Sequence, residues 1–419
     1  MKKSWLAILI AISVGLLGAQ MDPLHHLRFQ VAQNPTNANA RMNLAYQLML
    51  SGEYNEALSH YEALLLQGAK HEAAMTGVLW ALQSLGKYRE SSLKADKFLS
   101  SCSDPSPILS YKAYALSATG RHLSARSYYS KAGKLAKNES TAQKSSLGLA
   151  WEYLWLSDAP RARVQLNKLT TEAAVEPKEW LDKASNMITL KAGTDYDDLI
   201  STGLSYQLHK AAWGFGAEYE ELFVDSERFR QMISARAKWQ SPIIDLTAAV
   251  KSLSGNDDRV YPGVHYSLAL QSPYYLGKVR IVPSLRGHFA SYQRFDTQQA
   301  DLAMRMDSDD LSASYSYSLL YHDDDSIGSD HDEQIHSFSL GVRVFKQSWL
   351  TAYLHLGDQA WWTSPYMVVY DDFEADNTVY GLSLSTPIYQ KFNLLLYSQL
   401  GDNDDEAVFS SSLSLAYSY

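Results

Sequence analysis

The chain closes on Phe409-Ser-Ser-Ser-Leu-Ser-Leu-Ala-Tyr-Ser-Tyr419. Phe409, Leu413, Leu415, Tyr417 and Tyr419 fall on one face of a period-2 strand, and Ser410, Ser412, Ser414, Ala416 and Ser418 fall on the other. One side is apolar and the other hydroxylated, so the strand is built to separate two media. Leu311-Ser-Ala-Ser-Tyr-Ser-Tyr-Ser-Leu319 repeats the device with serine at every second position.

From about Asn186 onward the pattern keeps this period of 2. It recurs in 200–208, 213–219, 233–239, 244–250, 264–270, 279–289, 300–306, 338–344, 350–356, 380–384 and 392–400, which makes 13 strands with the two already quoted. Such a series closed by an aromatic C-terminus resembles the outer-membrane β-barrel family. The resemblance implies that the last strand, through Tyr417 and Tyr419, is the signal for the barrel-insertion machinery. A soluble sandwich also alternates, but the connections favour a barrel. Gln240-Ser-Pro, Asp307-Ser-Asp-Asp and Thr386-Pro-Ile-Tyr-Gln read as short turns, whereas 322–333 and 370–377 read as long acidic loops. Trp213, Trp239 and Trp349 border short turns, Trp361 and Trp362 border a long loop, and 19 of the 28 tyrosines lie from Tyr196 onward, as two interfacial girdles require. Bacterial barrels have even strand numbers, so 13 becomes 14 if 187–196 is a strand, or 12 if 200–208 does not span. Fourteen is the favoured count, with both ends of the barrel on the periplasmic side.

The N-terminal part follows a different rule. Gly52, Gly86 and Gly120 are spaced 34 residues apart, as are Tyr46, Trp80 and Tyr114, and Ala57, Ser91 and Ala125. Leu44-Ala-Tyr-Gln-Leu-Met-Leu-Ser-Gly-Glu-Tyr-Asn-Glu-Ala-Leu-Ser-His-Tyr61 resembles the tetratricopeptide helix–turn–helix, whose period is the same. Glycine takes the turn, the small residue admits a close helix crossing, and the aromatic packs between helices. A fourth unit over about 145–169 replaces the glycine with Ser157-Asp158 and places Ala162 37 residues after Ala125. Leu79 also stands where Ala45 and Ala113 supply a small residue.

Met1–Gln20 carries two lysines, a 13-residue apolar stretch from Trp5 to Leu17, and small residues at Gly18-Ala19, the layout of a secretory leader. The apolar stretch is short of the ~20 residues of a spanning helix. The expected organisation is a leader over 1–19, a periplasmic repeat domain over 20–185 and a barrel over 186–419. Cys102 stands alone, so no intrachain disulfide is available. The net charge of −9 gives no reason to expect nucleic acid as a partner.

No catalytic constellation stands out, and neither an enzymatic activity, a cofactor nor a metal is expected. The acidic run 323–333 has Ile327 where a calcium loop needs oxygen and Gln334 where it needs glutamate. It reads as a solvated loop, with divalent cations shared with lipid phosphates as the alternative. His25, His26, His265, His288, His336 and His355 have no metal-like spacing.

The lumen carries more information. If the apolar face of each strand meets lipid, then Arg236, Lys238, Lys251, Arg280, Arg286, Arg305 and Arg343 point inward, with Glu218, Glu220, Asp245 and Asp301. This surplus of cations fits either a path for anions or pairs that brace the wall of a filled barrel. The layout as a whole resembles the porins that export bacterial exopolysaccharides, with fewer repeats and a smaller barrel. That resemblance implies export or passage of a polysaccharide or other anionic solute, with the repeats recruiting a periplasmic protein or polymer and the barrel facing outer-membrane lipid. The alternative is a non-conducting anchor that presents the repeats as an interaction scaffold.

Overall fold

The computed structural model describes residues 23–68, 71–169, 175–183, 185–194, 200–224, 227–255, 263–292, 295–324, 331–345, 347–357, 378–389, 391–402 and 407–418. The leader, Trp361, Trp362, the 370–377 loop and Tyr419 lie outside them. Ten helices are followed by 15 strands among the described residues. The chain forms two compact units, one of residues up to Thr119 with Tyr128–Gly148, the other of Gly120–Ser127 with Leu149 onward.

The first unit holds α1 (Pro23–Gln33), α2 (Ala38–Ser51), α3 (Tyr54–Leu66), α4 (His71–Ser84), α5 (Tyr88–Leu99) and α6 (Pro105–Ser117), and parts of α7 (His122–Leu135) and α8 (Glu139–Trp155). Asn37 caps α2 by accepting from the N–H groups of Asn39 and Ala40, both at 3.1 Å. Gly52 ends that helix with φ of 84°, the left-handed conformation that glycine adopts without a Cβ clash. The Gly52 and Glu53 N–H groups return to the carbonyls of Met49 and Leu48, and those of Gly86 and Lys87 to Gln83 and Leu82. Leu44, Leu48, Ala57, Tyr61, Leu64, Val78 and Leu82 pack as one buried cluster. At roughly 1.5–3 kcal/mol for each large aliphatic side chain, this burial outweighs helix propensity in holding the stack. Gly77 is required by packing, because a Cβ there would lie 2.4 Å from the Tyr61 ring. Ala57 and Ser91 are fully buried at the helix crossings, as the repeat pattern predicts, and Ala125 of the second unit is fully buried as well. Ser91 also accepts a 3.0 Å hydrogen bond from Gln83, whose amide reaches the Tyr111 carbonyl at 2.7 Å and ties the second repeat to the third.

The second unit contains the later part of α8, α9 (Ala159–Leu166), α10 (Val175–Asp182) and the sheet. The fourth repeat reproduces the turn without glycine. Ser157 takes φ of 56°, and the N–H groups of Ser157 and Asp158 bond the carbonyls of Leu154 and Tyr153 in the same pattern as the glycine turns. Ala162 is fully buried, so the 37-residue step is an insertion ahead of the unit and not a loss of register.

The strands are β1 (Ser185–Thr194), β2 (Ile200–Lys210), β3 (Trp213–Val224), β4 (Glu227–Gln240), β5 (Asp245–Gly255), β6 (Gly263–Gln271), β7 (Tyr274–Leu276), β8 (Val279–Tyr292), β9 (Phe295–Asp307), β10 (Leu311–Asp324), β11 (His331–Phe345), β12 (Ser348–Leu356), β13 (Thr378–Tyr389), β14 (Phe392–Asp402) and β15 (Ala407–Ser418). Each antiparallel neighbour pairs in turn, β1 pairs with β15, and β6 pairs with β8. The result is a closed barrel of 14 strands, with β7 as a short spur on β8. The 13 segments read from alternation are all strands, and β1 is the fourteenth. Every strand of the ring has 9 to 15 residues, enough for the ~9–11 of a tilted membrane strand. Both barrel ends share a rim with the connections that follow β2, β4, β6, β9, β11 and β13.

Three expectations change. Residues 386–389 continue β13 through a register shift near Pro387 instead of forming the turn. The backbones of Asp323, Asp324 and 331–333 extend a hairpin and are not loop. Trp349 faces inward with Thr351 and lines a cavity, so it is no girdle residue, whereas Trp213 and Trp239 pair across β3 and β4 and are exposed.

Candidate functional site at the short-turn rim

Outward-facing Leu204, Phe215, Ile233, Leu268, Leu285, Leu302, Tyr315, Leu340, Leu382 and Leu413 are exposed around the barrel wall. Closure removes strand edges, so such a surface matches hydrocarbon and not water. No described helix is long and apolar enough to cross a membrane.

Inside, the structure separates the seven cations into groups. Lys238 meets Asp245 at 3.0 Å, Arg305 meets Asp307 at 2.7 Å, and Arg286 binds Asp301, itself held by Gln299 at 2.6 Å. Lys191, absent from the sequence reading, pairs with Glu218. Lys251 is almost fully buried, and Arg236 stands against Gly216. Arg343 is at the rim, bonding Asp310 at 2.5 Å and the Gly120 carbonyl at 3.0 Å. Arg280 differs: its Nε is buried with no hydrogen-bond partner. Much of the inferred charge surplus therefore braces the wall. Farther in, His265 and His288 bring ring nitrogens within 3.3 Å, and Leu253, Leu320, Ile335 and Val379 are buried on inward positions. His355 bonds Ser337 at 2.8 Å on the inner face, whereas His336 lies on the outer face and meets the exposed Tyr315 hydroxyl at 2.9 Å. Among the described residues no group of three or more metal-ligating side chains occurs.

The short-turn rim is joined to helical segments of the same unit. Asp309, in the turn before β10, accepts from the N–H groups of Leu123 and Ser124 at 2.9 and 3.0 Å and so caps α7. Asp158 caps α9 and also accepts from Arg161 at 2.6 Å and from the Tyr275 hydroxyl at 2.8 Å. Arg161 reaches the Pro273 carbonyl at 2.7 Å, Arg126 reaches that of Gly277 at 2.5 Å, and the Arg126 guanidinium lies 4.4 Å over the Tyr275 ring. Burial, with Asp158 beside it, holds the Tyr275 phenol above its ordinary pKa. It is therefore a hydrogen-bond donor at neutral pH.

Below these contacts lies a cavity of about 990 Å³. Its helical side carries Leu123, Leu154, Trp155 and Trp180, and its barrel side carries Lys238, Arg280, Arg305, Lys391, Trp349 and a run of serines. Lys238, Arg280 and Arg305 are thus brought together, while Lys251 and Arg286 sit elsewhere. Trp155, Trp180 and Lys391 escape a sequence reading because the two tryptophans resemble repeat-packing residues and Lys391 resembles a turn lysine.

No known protein family matches the sequence, and no curated protein matches it. Solved structures give likenesses for each part. A thermophilic TPR protein of Thermus thermophilus is 16% identical over 41% of this chain and 94% of its own, with a TM-score of 0.33. OccK5 (OpdH) of Pseudomonas aeruginosa is 8% identical over 56% of this chain and 97% of its own, with a TM-score of 0.33. The outer membrane protein Omp33 of Acinetobacter baumannii is 9% identical over 57% of this chain and 100% of its own, with a TM-score of 0.34.

Proposed function

We propose that the protein is an outer-membrane conduit through which an anionic solute or polysaccharide passes, with its repeats on the periplasmic side acting as an adaptor for a protein or polymer. The observation that carries this reading is the cation-lined cavity at the short-turn rim, where Arg280 has a buried Nε without a partner. Fixed positive charge in a confined aqueous mouth raises the local concentration of anions. The role requires no catalysis. Insertion of the purified full-length protein into a planar bilayer under a salt gradient tests it: the expected result is discrete conductance with an anion-selective reversal potential, and cation selectivity would refute it.

A second reading is supported by the paired lumen charges and the inward-buried Leu253, Leu320, Ile335 and Val379. A filled barrel is a rigid anchor. Absence of any conductance in the same bilayer experiment would favour it.

A further inference from the structure

The geometry points to the cavity at the short-turn rim as a binding site for an acidic oligosaccharide, with indoles from the helices on one side and cations from the barrel on the other. The inference rests on the conduit reading and narrows its substrate class.

Two features select the ligand. Trp155 and Trp180 are 57% and 48% exposed although they lie 6.2 Å apart, so their faces are not consumed by packing on each other. Flat, rigid indoles facing a cavity offer platforms for the C–H faces of a ring, and one side of Trp155 is already fixed by stacking on His122 at 5.4 Å. The charged side is matched to an anion. Asp307 serves Arg305, and Asp245 serves Lys238, whereas Arg280 forms no ion pair among the described residues. Its planar fork suits a carboxylate. The lining also includes the hydroxyls of Ser308, Ser312, Thr351, Ser385 and Ser418, of which Ser308 already bonds the Leu311 carbonyl and Ser312 the Asp307 carboxylate, and the side chains of His209 and Gln240.

An acyl chain would leave the charges of Arg280 and Lys391 without a counter-ion, and a small inorganic anion would leave the indoles unused. A chain of sugar acids meets both the indoles and the cations. The volume of about 990 Å³ is at the upper end of the ~300–1,000 Å³ typical of ligand sites, which admits more than a single ring.

The test is calorimetric titration of the full-length protein in detergent with tri-galacturonate, maltotriose and sodium phosphate as probes. Tri-galacturonate should bind, and Arg280→Gln, Lys391→Gln and the pair Trp155→Ala with Trp180→Ala should each weaken it at least about tenfold. Heat-dependent mobility on gels confirms that each variant is folded, and exposed Lys391 provides the charge readout if Arg280→Gln does not assemble. Equal binding of maltotriose would overturn the role of charge, and phosphate binding indifferent to the tryptophan changes would reduce the site to a generic anion trap. No binding of tri-galacturonate would overturn the inference outright. Conductance without saccharide binding refutes this site alone, whereas binding without conductance refutes the conduit and leaves the site standing.

Discussion

The carboxylate of Asp158 accepts a 2.8 Å hydrogen bond from the hydroxyl of Tyr275, although 117 residues separate them in the chain. Asp158 belongs to the turn of the fourth repeat, and Tyr275 to the spur beside β8. With Arg161 and Arg126 on the same ring, the pair fastens a helical segment to the barrel rim. Hydrogen bonds to a charged group contribute about 1.5–3 kcal/mol, so Tyr275→Phe is expected to weaken this attachment by about that amount. A lower midpoint in a thermal melt followed at a helical band would show it, and an unchanged midpoint would show that the contact carries no stability.

Ser157 holds a left-handed backbone that costs a residue with a Cβ roughly 1 kcal/mol. Ser157→Gly should stabilise the helical part by about 0.5–1 kcal/mol, read as a higher midpoint in a thermal melt followed at a helical band. Ser157→Val should lower it.

Selectivity should respond most to cations that the structure leaves without carboxylates. Arg286→Glu would press a new carboxylate against buried Asp301 and endanger folding. Arg236→Glu with Arg280→Glu instead changes the lumen charge by about −4 and breaks no ion pair seen among the described residues, because each reversal removes one positive charge and adds one negative. The reversal potential should move toward cation selectivity; a potential that stays where it was in the wild type argues against a path past these residues.

Tyr417 packs its ring 4.9 Å from Phe392 and pairs with Ile188 where the barrel closes. Tyr417→Ser with Tyr419→Ser removes aromatic surface from the closing strand. Slower assembly is expected, measured as a smaller fraction of heat-modifiable, protease-resistant barrel.

Acid should loosen the repeats. Hydrogen bonding from Arg28 lowers the Glu56 pKa, and the Ser103 hydroxyl, followed by the N–H groups of Ser103 and Asp104, lowers that of Glu72. A depressed carboxyl pKa contributes stability above the unfolded value of about 4.3, and that stability is lost as pH falls through the folded value. Burial lowers the His60 pKa as well, so its contribution is complete above about 6.5 and also declines as pH falls. Helical melts should therefore fall in midpoint below about pH 5, and Glu72→Gln should flatten the slope.

The barrel is legible because alternation between apolar and hydroxylated faces persists through strands such as Leu311–Leu319, whatever each strand's own propensity. Parity then exposes β1, whose Ser185–Thr194 pattern is weak alone. Trp349 misleads because an aromatic beside a turn looks the same in sequence whether it points outward or inward. The turn at Ser157 resembles a defect, since backbone hydrogen bonding and not residue type preserves it. Asp158, Arg161, Arg126 and Tyr275 carry no mutual signal in sequence, because their association depends on β7, a three-residue spur with no periodicity to read.

The assignment of Gly120–Ser127 to the barrel's unit, between flanks that belong to the other, means the chain passes from one unit to the other three times. A single backbone scission therefore cannot yield two intact halves. Limited proteolysis should nick the protein before it divides it, and co-expressed fragments would have to reassemble by complementation. The barrel's unit alone needs chain from both sides of Gly148, so its last strand and the Gly120–Ser127 segment share one fate during maturation.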